Sequence, residues 1–174
     1  VGIYHSLLAK DIGYIVEHSD AVLAFAEDPE QVAKLQHIRA EIPEIRKVVL
    51  FKGTPPPDDD WVIGFDEFLA LGADVTDATL DARIADVDAA DVAAIVYTSG
   101  TTGIPKGAVL THDNITFTAQ SVYGSTQIED GDHAFLFLPL AHIFARTCVF
   151  SALFAGCTTT FARSIETVAE DFTI

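Results

Sequence analysis

Five apolar residues, Ala93-Ala94-Ile95-Val96-Tyr97, stop abruptly at Thr98-Ser99-Gly100-Thr101-Thr102-Gly103, and apolar character resumes only at Ala108-Val109-Leu110. A short apolar run bounded by small, flexible residues predicts a buried strand feeding a loop. Helix and strand patterns alternate before it: helical spacing over 6–18, an apolar run over 21–25, a second helix over 29–41 with Asp28 as N-cap, and a strand over 47–51. Such alternation favours an α/β layer with mainly parallel strands and flanking helices.

Punctuation divides the chain further. Thr54-Pro55-Pro56-Pro57-Asp58-Asp59-Asp60 continues neither helix nor sheet, because three prolines remove amide donors and three adjacent carboxylates repel one another, so 54–60 is a surface loop. A short apolar patch follows over 61–71. The acidic, Ala-rich stretch 74–91 reads as a connector holding a short helix. Residues 1–91 thus form an α/β segment ahead of the glycine-rich loop, and 92–174 a second segment of the same large domain. In that second segment Asp113 or Asn114 can cap a helix with Ile115, Ala119, Val122 and Tyr123 on its inner face. A strand over 135–138, a helix over 141–155 stopped by Gly156, a strand over 158–161 and a helix over 165–172 complete the pattern.

Charge and cysteine content narrow the partners. Ten Lys plus Arg face 26 Asp plus Glu, a net charge of −16, and that field repels nucleic-acid phosphates and anionic membrane surfaces. Nucleic acid is therefore not expected as a partner. The two cysteines, Cys148 and Cys157, lie in apolar or Thr-rich surroundings and read as buried thiols of a reducing, cytoplasmic compartment rather than a disulfide or metal framework. The charge-free stretch 147–162 falls short of the roughly 20 apolar residues that a spanning helix needs. The chain has no Met, even at position 1, which marks it as an internal fragment on this reading.

The string Tyr97-Thr98-Ser99-Gly100-Thr101-Thr102-Gly103-Ile104-Pro105-Lys106-Gly107 has the composition of an anion cradle. Its glycines let backbone approach a bulky anion, its hydroxyls and amides donate to phosphate oxygens, Lys106 adds a positive charge, and Pro105 limits the freedom lost on binding. A Walker A loop would need glycine before that lysine and a hydroxyl after it, where Pro105 and Gly107 stand, and the Gly-x-Gly-x-x-Gly dinucleotide fingerprint is absent. A ligand-free hairpin would suffice to explain a generic Gly/Thr turn, but not this whole string.

The string resembles the signature loop of the adenylate-forming superfamily, which includes acyl-CoA synthetases, peptide-synthetase adenylation domains and luciferases. A second string, Leu138-Pro139-Leu140-Ala141-His142, resembles the superfamily's next core motif in the form carried by long-chain fatty acyl-CoA synthetases. Residues 1–27 and 158–164 are also similar to the corresponding regions. The resemblance implies an incomplete part of the N-terminal α/β domain of an ATP-dependent ligase. It implies that Thr98, Ser99, Gly100, Thr101, Thr102, Gly103 and Lys106 contact ATP phosphates, that Thr98 also meets Mg2+, and that His142 lies beside the acyl carboxylate as a catalytic residue.

Fatty acid, ATP and coenzyme A are the implied substrates, with peripheral membrane contact and homo-oligomerisation of the parent enzyme among the expectations. The adenine, ribose and further magnesium contacts, and a mobile C-terminal domain with its catalytic lysine, would lie beyond Ile174, so the fragment alone is expected to be inactive. Long-chain synthetases usually carry an acidic residue where Ala145 stands, which leaves Arg146 as a structural anchor or a rim residue of the acyl tunnel. His5, His18, His37, His112 and His133 are assigned no chemistry. The competing readings are a ligase for a shorter or aromatic acid, and a non-catalytic interaction module on the same fold.

Overall fold

The computed structural model describes residues 1–98 and 103–172 and divides the chain into two compact units, His5–Val87 and Val1–Tyr4 with Asp88–Ile174. In the first unit, α1 (Ala9–His18), β1 (Leu23–Ala26), α2 (Pro29–His37), β2 (Lys47–Leu50), β3 (Val62–Gly64), α3 (Phe65–Ala70) and α4 (Asp77–Ala85) follow one another. The three strands form a parallel sheet in the order β1-β2-β3.

The central strand carries Val48, Val49 and Leu50, all buried. Burial on both faces is what a continuous apolar run in a helix-covered parallel strand signifies. Ile12, Ile15 and Val16 of α1, Val32 and Leu35 of α2, and the buried Ile45, Trp61 and Ile63 add to this core. Asp28 caps α2 as its position suggests: its Oδ1 accepts from the Gln31 amide at 3.0 Å, and Pro29 begins the helix where an amide donor is not needed. The helix ends at His37 rather than at 41, and a short 3-10 turn over Arg39–Glu41 takes its place. The apolar patch after the triple proline becomes β3 and α3, and the acidic connector does contain a short helix, α4, whose residues are all exposed.

The second unit begins with an antiparallel hairpin, β4 (Val92–Thr98) and β5 (Lys106–Thr111). Next come α5 (His112–Ser125), β6 (His133–Leu136), α6 (Ile143–Ala155), β7 (Thr158–Phe161) and α7 (Val168–Asp171). Strands β6 and β7 pair in parallel with α6 as the crossover between them, while α6 packs against α5. The α/β class with mainly parallel strands is as expected, with the hairpin as the antiparallel exception.

Two further local features depart from expectation. Helix α5 is capped by Thr111, not by Asp113 or Asn114: Thr111 Oγ1 accepts from the Asn114 amide at 3.2 Å while Asn114 Oδ1 accepts from the Thr111 amide at 3.1 Å. Thr111 is the last extended residue of β5, so the reciprocal cap forms earlier than residue type alone suggests. The thiols of Cys148 and Cys157 are half-buried rather than buried.

Gly156 ends α6 in the left-handed region at φ 79°, with the Cys157 amide donating to the Ala152 carbonyl at 2.8 Å. A Cβ there would run into the Asp130 carboxylate. Gly156→Ala is therefore expected to destabilise the fold by about 1–3 kcal/mol, read as a lowered urea midpoint. An unchanged midpoint would show that the Asp130 loop yields freely.

Candidate active site

The hairpin register sets the geometry of the loop mouth. Thr98 is directly opposite Lys106, so their side chains stand on one face of the hairpin, both exposed. A hydroxyl and an ammonium group thereby flank the segment 99–105. Ser99, Gly100, Thr101 and Thr102 lie outside the described residues. Gly103 has φ 83°, and a Cβ added there would meet nothing within 4 Å, so the left-handed backbone, not crowding, calls for glycine. At Gly107 the reason is space: a Cβ would stand 2.9 Å from Ile95 Cγ2 and 3.2 Å from Tyr97 Cζ.

His142 is the N-cap residue of α6 and is exposed. Its Nδ1 accepts from the Phe144 amide at 3.1 Å. An acceptor Nδ1 means that the neutral ring carries its proton on Nε2, which is left to donate outward. The turn leading into the cap is closed by the His142 amide donating to the Pro139 carbonyl at 2.9 Å.

Arg146, one helical turn on, folds back and donates from Nε to the Leu140 carbonyl at 2.7 Å. Burial holds its guanidinium pKa below the ordinary value. The anchoring contact is thus visible. Arg146 borders a cavity of about 180 Å³ between α5 and α6, with Leu110, Ile115, Ala119, Ile143 and Phe150 as its apolar walls. Thr118 and Thr147, also on the wall, donate their hydroxyls to their own helices, and Asn114 Oδ1 is engaged in the cap, which leaves the interior mostly apolar. The cavity wall at Leu110 lies four residues along β5 from Lys106, roughly 13 Å at strand rise. Ala145 is fully buried, so a carboxylate in its place would lose its hydration.

Phosphate oxygens suit the described donor set, because Thr98 and Lys106 supply a hydroxyl and a cation on one face. Among the described residues there is no group of three or more His, Cys, Asp or Glu side chains able to hold a metal. Magnesium, which keeps several waters and binds chiefly through substrate phosphates, would take no more than the Thr98 hydroxyl from these residues. Sequence reasoning did not find Asn114, Thr118 and Thr147 on the cavity wall. The Thr-x-x-Asn spacing at 111–114 was the sign that α5 begins after Thr111.

The family model described as AMP-binding enzyme matches residues 1–173. A long-chain-fatty-acid–CoA ligase of Mycobacterium bovis is 32% identical over 168 residues, covering 95% of this chain and 27% of the relative. A human long-chain-fatty-acid–CoA ligase is 32% identical over 166 residues, covering 94% of this chain and 25% of that protein. The chain therefore spans about a quarter of the length of these curated relatives. The crystal structure of an anthranilate CoA ligase in complex with anthranoyl-AMP superposes with a TM-score of 0.83 at 21% identity, covering 98% of this chain and 32% of that one. At that identity the likeness establishes the fold.

Proposed function

This chain belongs to the AMP-binding enzyme family, and from that membership we propose that the polypeptide carrying it activates a long-chain fatty acid with ATP and passes the acyl group to coenzyme A. The observation that carries the reading is the hairpin register that sets Thr98 and Lys106 on one face at the mouth of the Ser/Thr/Gly loop. The proposed substrate class is supported by the names of the relatives, long-chain-fatty-acid–CoA ligases.

In the first half-reaction a carboxylate oxygen attacks the α-phosphorus of ATP, and the bond to the β-phosphate bridging oxygen breaks to release pyrophosphate. Charge accumulates on the departing phosphates, where Lys106, the Thr98 hydroxyl and the loop with Ser99, Gly100, Thr101, Thr102 and Gly103 donate. Magnesium, when bound, neutralises phosphate charge. His142 offers its Nε2 proton to the acyl carboxylate or to the adenylate formed from it. In the second half-reaction the coenzyme A thiolate attacks the acyl carbon and AMP leaves. The 174-residue segment, which spans about a quarter of the length of its relatives, is inactive alone on this reading.

The test is fatty-acid-dependent exchange between pyrophosphate and ATP by the full-length polypeptide, with acids from acetate to oleate. Exchange confined to long acids is the expected result. Exchange with short or aromatic acids instead would keep the adenylation chemistry and discard the long-chain assignment. No exchange with any acid by folded, magnesium-supplied protein would leave the segment as a non-catalytic module.

A further inference from the structure

We infer that Arg146 is a positioning residue for His142, acting by tying the turn that enters α6 to the helix itself; the inference rests on the placement of His142 at the acyl carboxylate proposed above. Three observations converge on this turn. Arg146 Nε donates to the Leu140 carbonyl at 2.7 Å, across six residues, so the side chain spans the whole of Leu140-Ala141-His142. The Pro139 carbonyl and Phe144 amide bracket the same turn through the backbone and ring of His142. From the other side, the segment at Gly2 lies close against this junction: a Cβ there would stand 2.7 Å from Arg146 Nη2, 2.9 Å from Ala141 Cα and 3.1 Å from the Leu140 carbonyl oxygen.

The geometry explains why a cation should sit in a largely apolar setting. Helical side chains lean back toward the N-terminus of their helix, so a residue one turn after the cap reaches the turn before it. Arg146 is long enough to do so and still leave Nη2 beside Gly2, while the residue also borders the cavity. Without it the Leu140 carbonyl loses its side-chain donor, and the turn keeps only its local contacts, the His142 amide to Pro139 and the Phe144 amide to the His142 ring. A catalytic group misplaced by about 1 Å can cost as much as 10²-fold in rate.

A double-mutant cycle in the full-length polypeptide tests the inference, with the rate of pyrophosphate exchange and the KM for ATP and fatty acid as readouts. His142→Ala is expected to lower kcat by about 10²-fold. Arg146→Ala is expected to lower kcat by about tenfold with the KM for ATP unchanged, and the double variant should be no slower than His142→Ala alone. Gly2→Ala, which crowds Arg146 Nη2 and the Leu140 and Ala141 backbone of the same turn together, should give a smaller loss, about threefold, that also vanishes in the His142→Ala background, and it reports on the turn if Arg146→Ala does not fold. Losses that multiply in either double variant, or an Arg146→Ala defect confined to the KM for fatty acid, would overturn the positioning role and make Arg146 an independent contact. Full activity of His142→Ala would instead remove His142 from the site, and the positioning role with it.

Discussion

Lys106→Ala in the full-length polypeptide is expected to slow fatty-acid-dependent pyrophosphate exchange by about 10²-fold, the usual loss on removing one donor to a developing negative charge. The hairpin makes the effect local. Lys106 pairs with Thr98 across β4 and β5, and the neighbouring pair, Tyr97 with Gly107, holds the strands together independently of the lysine side chain. Folding should therefore be preserved while the cation at the loop mouth is lost. Lys106→Arg keeps the charge and should recover part of the rate, because a guanidinium also donates to phosphate but from a larger, planar fork. Normal ATP affinity and rate in Lys106→Ala would remove the lysine from the phosphate site.

The largest expected effect on stability belongs to Trp61→Ala, at about 3–5 kcal/mol, the range for truncating a buried large aromatic residue. Trp61 is buried beside the parallel sheet and its indole N–H donates to the Ile45 carbonyl at 2.8 Å. Its outer face carries the Arg39 guanidinium 4.6 Å from the ring centroid. Arg39 in turn contacts Asp59 at 3.0 Å, and Asp59 accepts from Gln36 at 2.9 Å and from the Trp61 amide at 3.1 Å. Truncation thus opens a cavity, leaves the Ile45 carbonyl without its donor and removes the platform beneath Arg39. Trp61→Phe should restore most of the packing while still losing the indole hydrogen bond, about 1–3 kcal/mol. Urea unfolding followed by circular dichroism measures both, and equal midpoints for wild type and Trp61→Ala would rule out a packing role.

The same cluster predicts a pH dependence. The Gln36 hydrogen bond is the largest influence holding the Asp59 carboxyl below its ordinary pKa, and the Trp61 amide and Arg39 act in the same direction. A carboxyl depressed in the folded state contributes stability above its unfolded pKa and loses it as pH falls through the folded value. Acid unfolding of Asp59→Asn should accordingly lack that portion of the pH dependence, while a wild-type profile in the variant would show the carboxylate to be indifferent.

What the amino-acid sequence determined by itself is the set of features encoded within a few neighbouring residues. Asp28 before Pro29 encodes a cap, Gly156 a helix stop, and the run 93–97 a strand. Each depends on local sterics or on hydrogen bonds between near neighbours. What only the tertiary structure decided depends on residues distant in the chain. The triple-proline segment obscured the strand at Val62–Gly64, which exists because β2 offers it backbone partners. Three capping residue types crowd 111–114, and pairing of Thr111 with Val92 kept Thr111 extended and so chose it as the cap. The role of Arg146 could not be read from its own neighbourhood, since a guanidinium finds its acceptor by where the chain returns, and here Leu140 and Gly2 meet it from two directions.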